Sequence, residues 1–182
     1  MPASSDTPDD LLGRAAGIRL AAFDVDGVLT DGALILGADG QEHKAFHVHD
    51  GLGLVMLREC GIQVAVISAR ASRAVEERMA ALGIAHVSLG QADKGAALSK
   101  LMQELNVAPA QTAYMGDDLV DLPAFALAGL SIAVADAHPL VRERAAWVTQ
   151  KPGGRGAVRE ACELILMAQG VLESCYRRYL GQ

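Results

Sequence analysis

Apolar residues in this chain fall into short unbroken runs, separated by longer stretches in which apolar and polar positions recur with helical spacing. The runs Ile18 to Asp24, Ile62 to Ile67, His86 to Leu89, Thr112 to Met115, Leu130 to Ala135 and Trp147 to Thr149 predict strands. They are continuous, not alternating, as in strands buried on both faces of a parallel sheet. Between them the pattern predicts helices. One opens at Asp50-Gly51, runs through Leu57 and is closed by Gly61. A second is capped by Ser72 and stops at Leu82-Gly83. A third follows Asp93, contains Lys94 and ends near Leu105, with Pro109 beyond. Further helices cover Asp121 to Ala128, His138 to Ala145, and the stretch from Gly153-Gly154-Arg155-Gly156 to about Gln169. Strands alternating with helices predict an α/β fold: a doubly wound, Rossmann-like, mostly parallel sheet with helices on both faces.

After the first strand the rhythm changes. Ala33 to Leu36 and Gln41 to Val48 flank Gly37-Ala38-Asp39-Gly40, a pattern that predicts a β-hairpin over about 33–48. It is too small for a cap domain, and its short apolar edge favours a partner. The expected organisation is a mobile segment over 1–17 with a short helix around Leu11 to Ala16, a single domain over 18–170, and a loose tail over 171–182 carrying Arg177 and Arg178.

Composition narrows the class. Half of the 182 residues are hydrophobic but only 4% are aromatic, so the core is built from Ala, Val, Leu and Ile. A net charge of -6 argues against nucleic acid and anionic membrane as partners. Cys60, Cys162 and Cys175 are widely spaced and odd in number, which suits reduced thiols in the cytoplasm better than a disulfide framework. Met1 to Asp10 holds no apolar signal core, and no apolar run is long enough for a membrane span.

Polar residues at the ends of the predicted strands carry the chemistry. Asp24 and Asp26 stand two apart where the first strand ends, so they share a face, roughly 6–7 Å apart along the chain. Ser68 ends the second strand, Lys94 opens a helix, and Gly116-Asp117-Asp118 ends a later strand with Asp121 just beyond. In open parallel sheets such residues converge at the carboxyl edge. Carboxylates about 5 Å apart repel by roughly 3 kcal/mol at an effective dielectric near 20. The aspartates therefore need a cation to gather, and hard oxygen ligands suit Mg²⁺. Ser68 and Lys94 are suited to hold a phosphoryl group by hydrogen bond and by charge.

These motifs, Asp24-Val-Asp26-Gly-Val-Leu-Thr30, Ser68, Lys94 and Gly116-Asp117-Asp118-Leu-Val-Asp121, resemble those of the haloacid dehalogenase superfamily in type and order. The resemblance implies that Asp24 attacks phosphorus to form an aspartyl phosphate. It implies that Asp26 protonates the leaving oxygen and then activates water. Asp24, the backbone carbonyl of Asp26, and Asp117 would hold Mg²⁺, with Asp118 and Asp121 in support. Lys44-Ala-Phe-His-Val-His-Asp-Gly51, Ser68-Ala-Arg70, Ala133 to His138 and Gly153 to Glu160, together with the missing cap, are similar to the capless phosphatase family that acts on 3-deoxy-D-manno-octulosonate (Kdo) 8-phosphate. That family implies a Mg²⁺-dependent homotetramer in lipopolysaccharide biosynthesis, with hairpins packed across subunits and a neighbour helping to close each site. Its pattern puts contacts to a sugar acid phosphate at Asp26, His47, Val48, His49, Asp50, Gly51, Val55, Ser68, Arg70, Arg78 and Lys94. His49 stands where the family often has Arg, and Ser68-Ala69-Arg70 where it more often has Thr/Ser-Gly-Arg. Both differences bear on substrate preference and leave the chemistry intact.

Two other readings were weighed: a phosphatase for a related nine-carbon sugar acid 9-phosphate, and a non-catalytic oligomerisation module of the same fold. Against the module stands the intact set Asp24, Asp26, Lys94 and Asp117. His43, His47 and His49 fall on one face of an extended segment, which suits the polar lining of a sugar pocket or a subunit seam better than a zinc site, since no Cys lies nearby. Gly153 to Gly156 suits an anion-binding turn or a plain one.

Overall fold

The computed structural model describes residues 8–38 and 40–181. Residues 1–7 of the predicted mobile segment, Asp39 of the predicted Asp-Gly turn, and Gln182 lie outside the described residues. In chain order the fold begins with helix α1 (Pro8–Ala16) and strand β1 (Leu20–Phe23), followed by the hairpin strands β2 (Ile35–Leu36) and β3 (Glu42–His43). Helix α2 (Val48–Glu59), strand β4 (Gln63–Ile67), helix α3 (Arg73–Ala81), strand β5 (His86–Ser88) and helix α4 (Lys94–Leu105) come next. Strand β6 (Thr112–Gly116) leads through a 3-10 turn (Leu119–Asp121) into helix α5 (Leu122–Phe125). Strand β7 (Leu130–Ala133), helix α6 (Pro139–Arg144), strand β8 (Trp147–Val148) and helices α7 (Ala157–Ala168) and α8 (Leu172–Tyr179) complete it.

The main sheet has the order β5-β4-β1-β6-β7-β8, and every pairing in it is parallel. Its centre is buried throughout: all residues of β1, β6 and β7, and Val64 to Ile67 of β4. Right-handed crossovers put the helices that build outward from β1 toward β5 on one face, and those that build from β6 toward β8 on the other. The contacts agree: α1, α2, α7 and α8 form one packed layer, and α4, α5 and α6 another. The chain leaves β1 in one direction and returns to pair β6 on its other side. The switch point of the sheet therefore lies between β1 and β6, where a doubly wound fold binds its ligand.

The sequence pattern differs from the structure in three places. The second hairpin strand, expected through Val48, is only Glu42–His43, and α2 starts at Val48 instead of Asp50. His47 causes this: with an extended backbone it caps α2, its Nδ1 accepting from His49 N at 3.3 Å. The helix expected over 121–128 divides into the 3-10 turn and α5, because Asp121 turns inward. The tail expected to be loose is helical over Leu172–Tyr179. It docks by burying Cys175, whose Sγ lies 2.9 Å from Cys60 Sγ. Tyr176 OH also donates to Glu163 Oε1 at 2.7 Å.

Candidate active site

β1 delivers the first carboxylate. Asp24 N donates to Met115 O at 2.9 Å, carrying the β1–β6 ladder one residue further and fixing Asp24 at the buried switch point. The chain then curls around one acceptor. Val25 O receives Leu29 N at 2.9 Å, Thr30 N at 3.0 Å and the Thr30 hydroxyl at 3.3 Å. This loop holds Asp26 at the mouth of a cavity of about 300 Å³ lined by Asp24, Asp26, Ser68, Arg70, Lys94, Asp117 and Asp118, with Leu34 and Val120 at its apolar edge. Ser68 Oγ accepts from Arg70 N at 3.2 Å, which orients the hydroxyl-bearing turn after β4.

The floor is acidic. Carboxylate oxygens of Asp24, Asp117 and Asp121 lie within 4.8 Å of one another. Lys94, 1% exposed at the start of α4, is the cation among them: Nζ is 2.8 Å from Asp24 Oδ1 and 2.7 Å from Asp121 Oδ1. Burial works against its charge, but Asp24 and Asp121 outweigh burial and keep the ammonium protonated. Three carboxylates against one lysine leave a formal surplus of two negative charges. Burial first, and then the neighbouring carboxylate charges, push Asp24 up to about 6 and Asp117 up to about 8.

Proximity alone would make Asp121 a metal ligand, but its hydrogen bonds give it another part. Oδ1 accepts from Lys94 and from the Tyr114 hydroxyl at 2.9 Å; Oδ2 accepts from the backbone N–H groups of Asp117 at 3.0 Å and Asp118 at 3.2 Å. It orients the loop after β6 and has little left for an ion. Asp118 serves the same loop, its Oδ1 accepting from Leu119 N at 2.8 Å. Asp117 is the opposite case: Oδ1 is buried and has no hydrogen-bond partner among the described residues. An orphaned carboxylate oxygen beside Asp24, in a site two positive charges short, fits a hard divalent cation such as Mg²⁺.

A second cluster stands at the mouth. Lys44, its side chain 1% exposed, bonds Asp26 Oδ1 and lies 2.9 Å from Glu42 Oε1. Arg70 pairs with Glu42 Oε2, and its Nε is 3.9 Å from Asp26 Oδ2. Burial opposes the charge on Lys44, yet its bonds to Asp26 and Glu42 hold its pKa above the ordinary value. The site residues inferred from sequence omitted Lys44 and Glu42, because the two-residue strand beside them gives too little pattern to show which way they point. Tyr114 was also missed, since it reads as one more core residue of β6.

Asp24, Asp26, Ser68, Arg70, Lys94, Asp117 and Asp118 thus meet at one cavity. His47, Val48, His49, Asp50, Gly51, Val55 and Arg78 do not line it within one chain. The His47 and His49 rings meet edge to face with centroids 4.8 Å apart, and Val48 is exposed. Gly51 is buried against the Arg78 guanidinium, and Val55 is half-buried on α2. Asp50, 1% exposed, turns away to the start of α7, where Oδ2 accepts from Gly156 N at 3.1 Å and Oδ1 from Arg159 N at 2.8 Å. The Gly153 to Gly156 stretch is a brace. Gly154 N donates to Val28 O at 2.9 Å, Gly153 N donates to Asp136 Oδ1 at 2.9 Å, and a Cβ on Gly153 would fall 1.7 Å from Gly27 O.

A parallel sheet of this order, with paired aspartates beyond β1 and a lysine among carboxylates at its switch point, defines a hydrolase of the haloacid dehalogenase class. Residues 83–160 match the family model described as haloacid dehalogenase-like hydrolase. Over 164 residues the chain is 51% identical to the 3-deoxy-D-manno-octulosonate 8-phosphate phosphatase of Escherichia coli (strain K12), a span covering 90% of this chain and 87% of that protein. Crystal structures of two such phosphatases superpose closely. The Yersinia pestis protein is 49% identical, with a TM-score of 0.90 over 95% of this chain and 94% of that one. The Moraxella catarrhalis protein, in complex with magnesium, phosphate and Kdo, is 43% identical, with a TM-score of 0.93 over 95% and 99%. The chain belongs to the 3-deoxy-D-manno-octulosonate 8-phosphate phosphatase family, and it is a phosphoric monoester hydrolase. Among the described residues no helix is long and apolar enough to cross a membrane.

Proposed function

We propose that this chain removes phosphate from 3-deoxy-D-manno-octulosonate 8-phosphate, releasing Kdo and inorganic phosphate in the cytoplasm for lipopolysaccharide biosynthesis. The observation that carries the reading is the cavity floor, where one lysine faces three clustered carboxylates, two of them buried, and Asp117 Oδ1 has no hydrogen-bond partner among the described residues. Phosphate with a divalent ion completes such a floor. A phosphate-bearing sugar acid also suits Arg70 at the mouth, placed to meet a carboxylate.

Asp24 is the nucleophile: its carboxylate attacks phosphorus and forms an aspartyl phosphate as the bond to the sugar oxygen breaks. Lys94, 2.8 Å from Asp24, fixes the carboxylate and offers an N–H to a phosphoryl oxygen; the Ser68 hydroxyl offers another donor. Asp26 gives its proton to the departing sugar alkoxide. It then takes a proton from the water that attacks the aspartyl phosphate, releasing phosphate and restoring Asp24. Mg²⁺, held by Asp24, the backbone carbonyl of Asp26, and Asp117, supplies the positive charge that phosphate and carboxylates together lack. Asp121 and Asp118 hold the loop that carries Asp117.

The active form in this reading is a homotetramer. Leu34, Ile35 and Leu36 on the hairpin are all exposed, Leu36 at 69%, and this supports a face that a second copy covers. His47, Val48, His49, Val55 and Arg78 then take part where subunits meet.

The test is phosphate release from Kdo 8-phosphate, from a nine-carbon sugar acid 9-phosphate and from an aryl phosphate, each with Mg²⁺ and with chelator. A strong Mg²⁺-dependent preference for the eight-carbon substrate is expected, with turnover abolished in a folded Asp24→Asn variant. Preference for the nine-carbon substrate overturns the substrate assignment, and an active Asp24→Asn variant overturns the mechanism.

A further inference from the structure

The hairpin is more than a surface loop. It sends two ionic side chains back to Asp26 and Arg70, which line the cavity, and one of them grips the carboxylate read as the proton donor. Lys44 Nζ bonds Asp26 Oδ1, and the Lys44 side chain is almost fully shielded from water. A buried ammonium is costly unless paired, so this contact is not that of a solvent lysine. Glu42, two residues earlier, lies 2.9 Å from the same Nζ and also pairs with Arg70. Glu42 pairs with both Lys44 and Arg70, so two positive charges and one negative surround Asp26. Glu42 thus offsets the charge of Lys44 in part, and the Lys44 contact gives Asp26 a fixed direction. With Oδ1 held by Lys44, Oδ2 is the oxygen left to face the leaving group; Arg70 Nε stands 3.9 Å from it, beyond hydrogen-bond length.

We propose that Lys44, with its charge offset in part by Glu42, is a positioning residue for proton transfer by Asp26, and that the hairpin is the strap which aims this carboxyl. The inference deepens the phosphatase reading and rests on the part given there to Asp26. Its consequence is selective. An alkyl phosphate, such as the primary phosphate of a sugar acid, expels a strongly basic alkoxide and needs a well-aimed proton. A p-nitrophenyl phosphate expels an oxide stable enough to leave unprotonated. Lys44 therefore matters for the first and hardly for the second. A lysine that merely stiffened the site would matter equally for both.

The experiment compares kcat/KM, which reports only the steps up to aspartyl phosphate formation, for Kdo 8-phosphate and p-nitrophenyl phosphate with saturating Mg²⁺. The proteins are wild type, Lys44→Met, Lys44→Arg and Asp26→Asn, each checked for folding by thermal unfolding. Lys44→Met is expected to lose roughly 10- to 100-fold on the alkyl substrate and less than about threefold on the aryl one, with part of the loss restored in Lys44→Arg. Asp26→Asn is expected to show the same asymmetry, only larger. Equal losses on both substrates in Lys44→Met, or no loss, overturn the positioning role while the asymmetry of Asp26→Asn keeps the phosphatase mechanism. If Asp26→Asn shows no asymmetry, Asp26 is not the donor and the inference falls with it. Should Lys44→Met fail to fold, Lys44→Arg and Glu42→Gln carry the comparison, and the absence of leaving-group asymmetry in both overturns the proposal.

Discussion

A Cβ atom on Gly27 would lie 2.1 Å from Oδ2 of Asp117, so the loop after β1 and the carboxylate after β6 occupy adjoining space with no room for a methyl group. Gly27 also has φ +91°, a conformation that side chains resist. Gly27→Ala is expected to displace Asp117, to weaken Mg²⁺-dependent turnover at least 100-fold, and to cost about 1–3 kcal/mol of stability. Activity across a Mg²⁺ titration, with a denaturation midpoint, checks this. Near-normal turnover at ordinary Mg²⁺ would mean that Asp117 does not need its present position.

Acid pairing in the cavity gives stability a pH signature. Asp24 and Asp117 have folded-state values of about 6 and about 8, above the 3.8 of an unfolded chain. Below about pH 4 both are protonated in either state and cost nothing. As pH rises above about 4 the unfolded chain ionises while burial and mutual repulsion keep these protons on the folded chain, so metal-free stability declines until Asp24 ionises near 6 and Asp117 near 8. Mg²⁺ binds the ionised forms. The gap in melting temperature between Mg²⁺-loaded and chelated protein is therefore expected to widen from pH 5 to pH 9, by several degrees. A gap that stays constant or narrows would place the ion elsewhere.

Asp50, which the family resemblance makes a substrate contact, has a structural role in the fold. Its carboxylate accepts from two backbone N–H groups at the start of α7 and is shut away from water. Asp50→Ala leaves those donors buried without partners and should cost about 2–4 kcal/mol, a fall in melting temperature of roughly 5–10 °C. If Asp50 served substrate alone, stability would be unaltered and only KM would rise.

Leu36→Asp on the exposed hairpin strand tests the assembly. Light scattering should give a mass near four chains for the wild type and a smaller particle for the variant, with reduced turnover at equal chain concentration. A wild-type monomer with full activity when dilute would remove any shared site.

The parallel sheet was readable because strands buried on both faces leave continuous apolar runs, as in Leu20–Phe23 and Thr112–Met115. Asp24, Asp26, Ser68, Lys94 and Asp117 were readable because strand ends and one helix start converge in such a sheet. What stayed hidden depends on side-chain direction or on distant partners. Nothing local says that Asp121 turns back to Tyr114 and Lys94, or that Asp50 reaches Gly156. Arg177 and Arg178 made the tail look solvated, whereas Cys175 and Tyr176, on the other side of the same helix, bind it to the body. Lys44 was hidden because a two-residue strand gives too little pattern to show which way its exit points.

The contact of Gly153 and Gly154 with Gly27, Val28 and Thr30 has a consequence for biosynthesis. Asp24 is made long before Gly153 and Gly154, the backbone that braces its loop. Until Gly153 and Gly154 have left the ribosome, the paired aspartates have no rear wall, and the curl around Val25 O has only its own hydrogen bonds to hold it. Phosphatase competence is then expected only once the Gly153 segment has docked, so a fragment that carries every catalytic aspartate but stops short of it is expected to be inert.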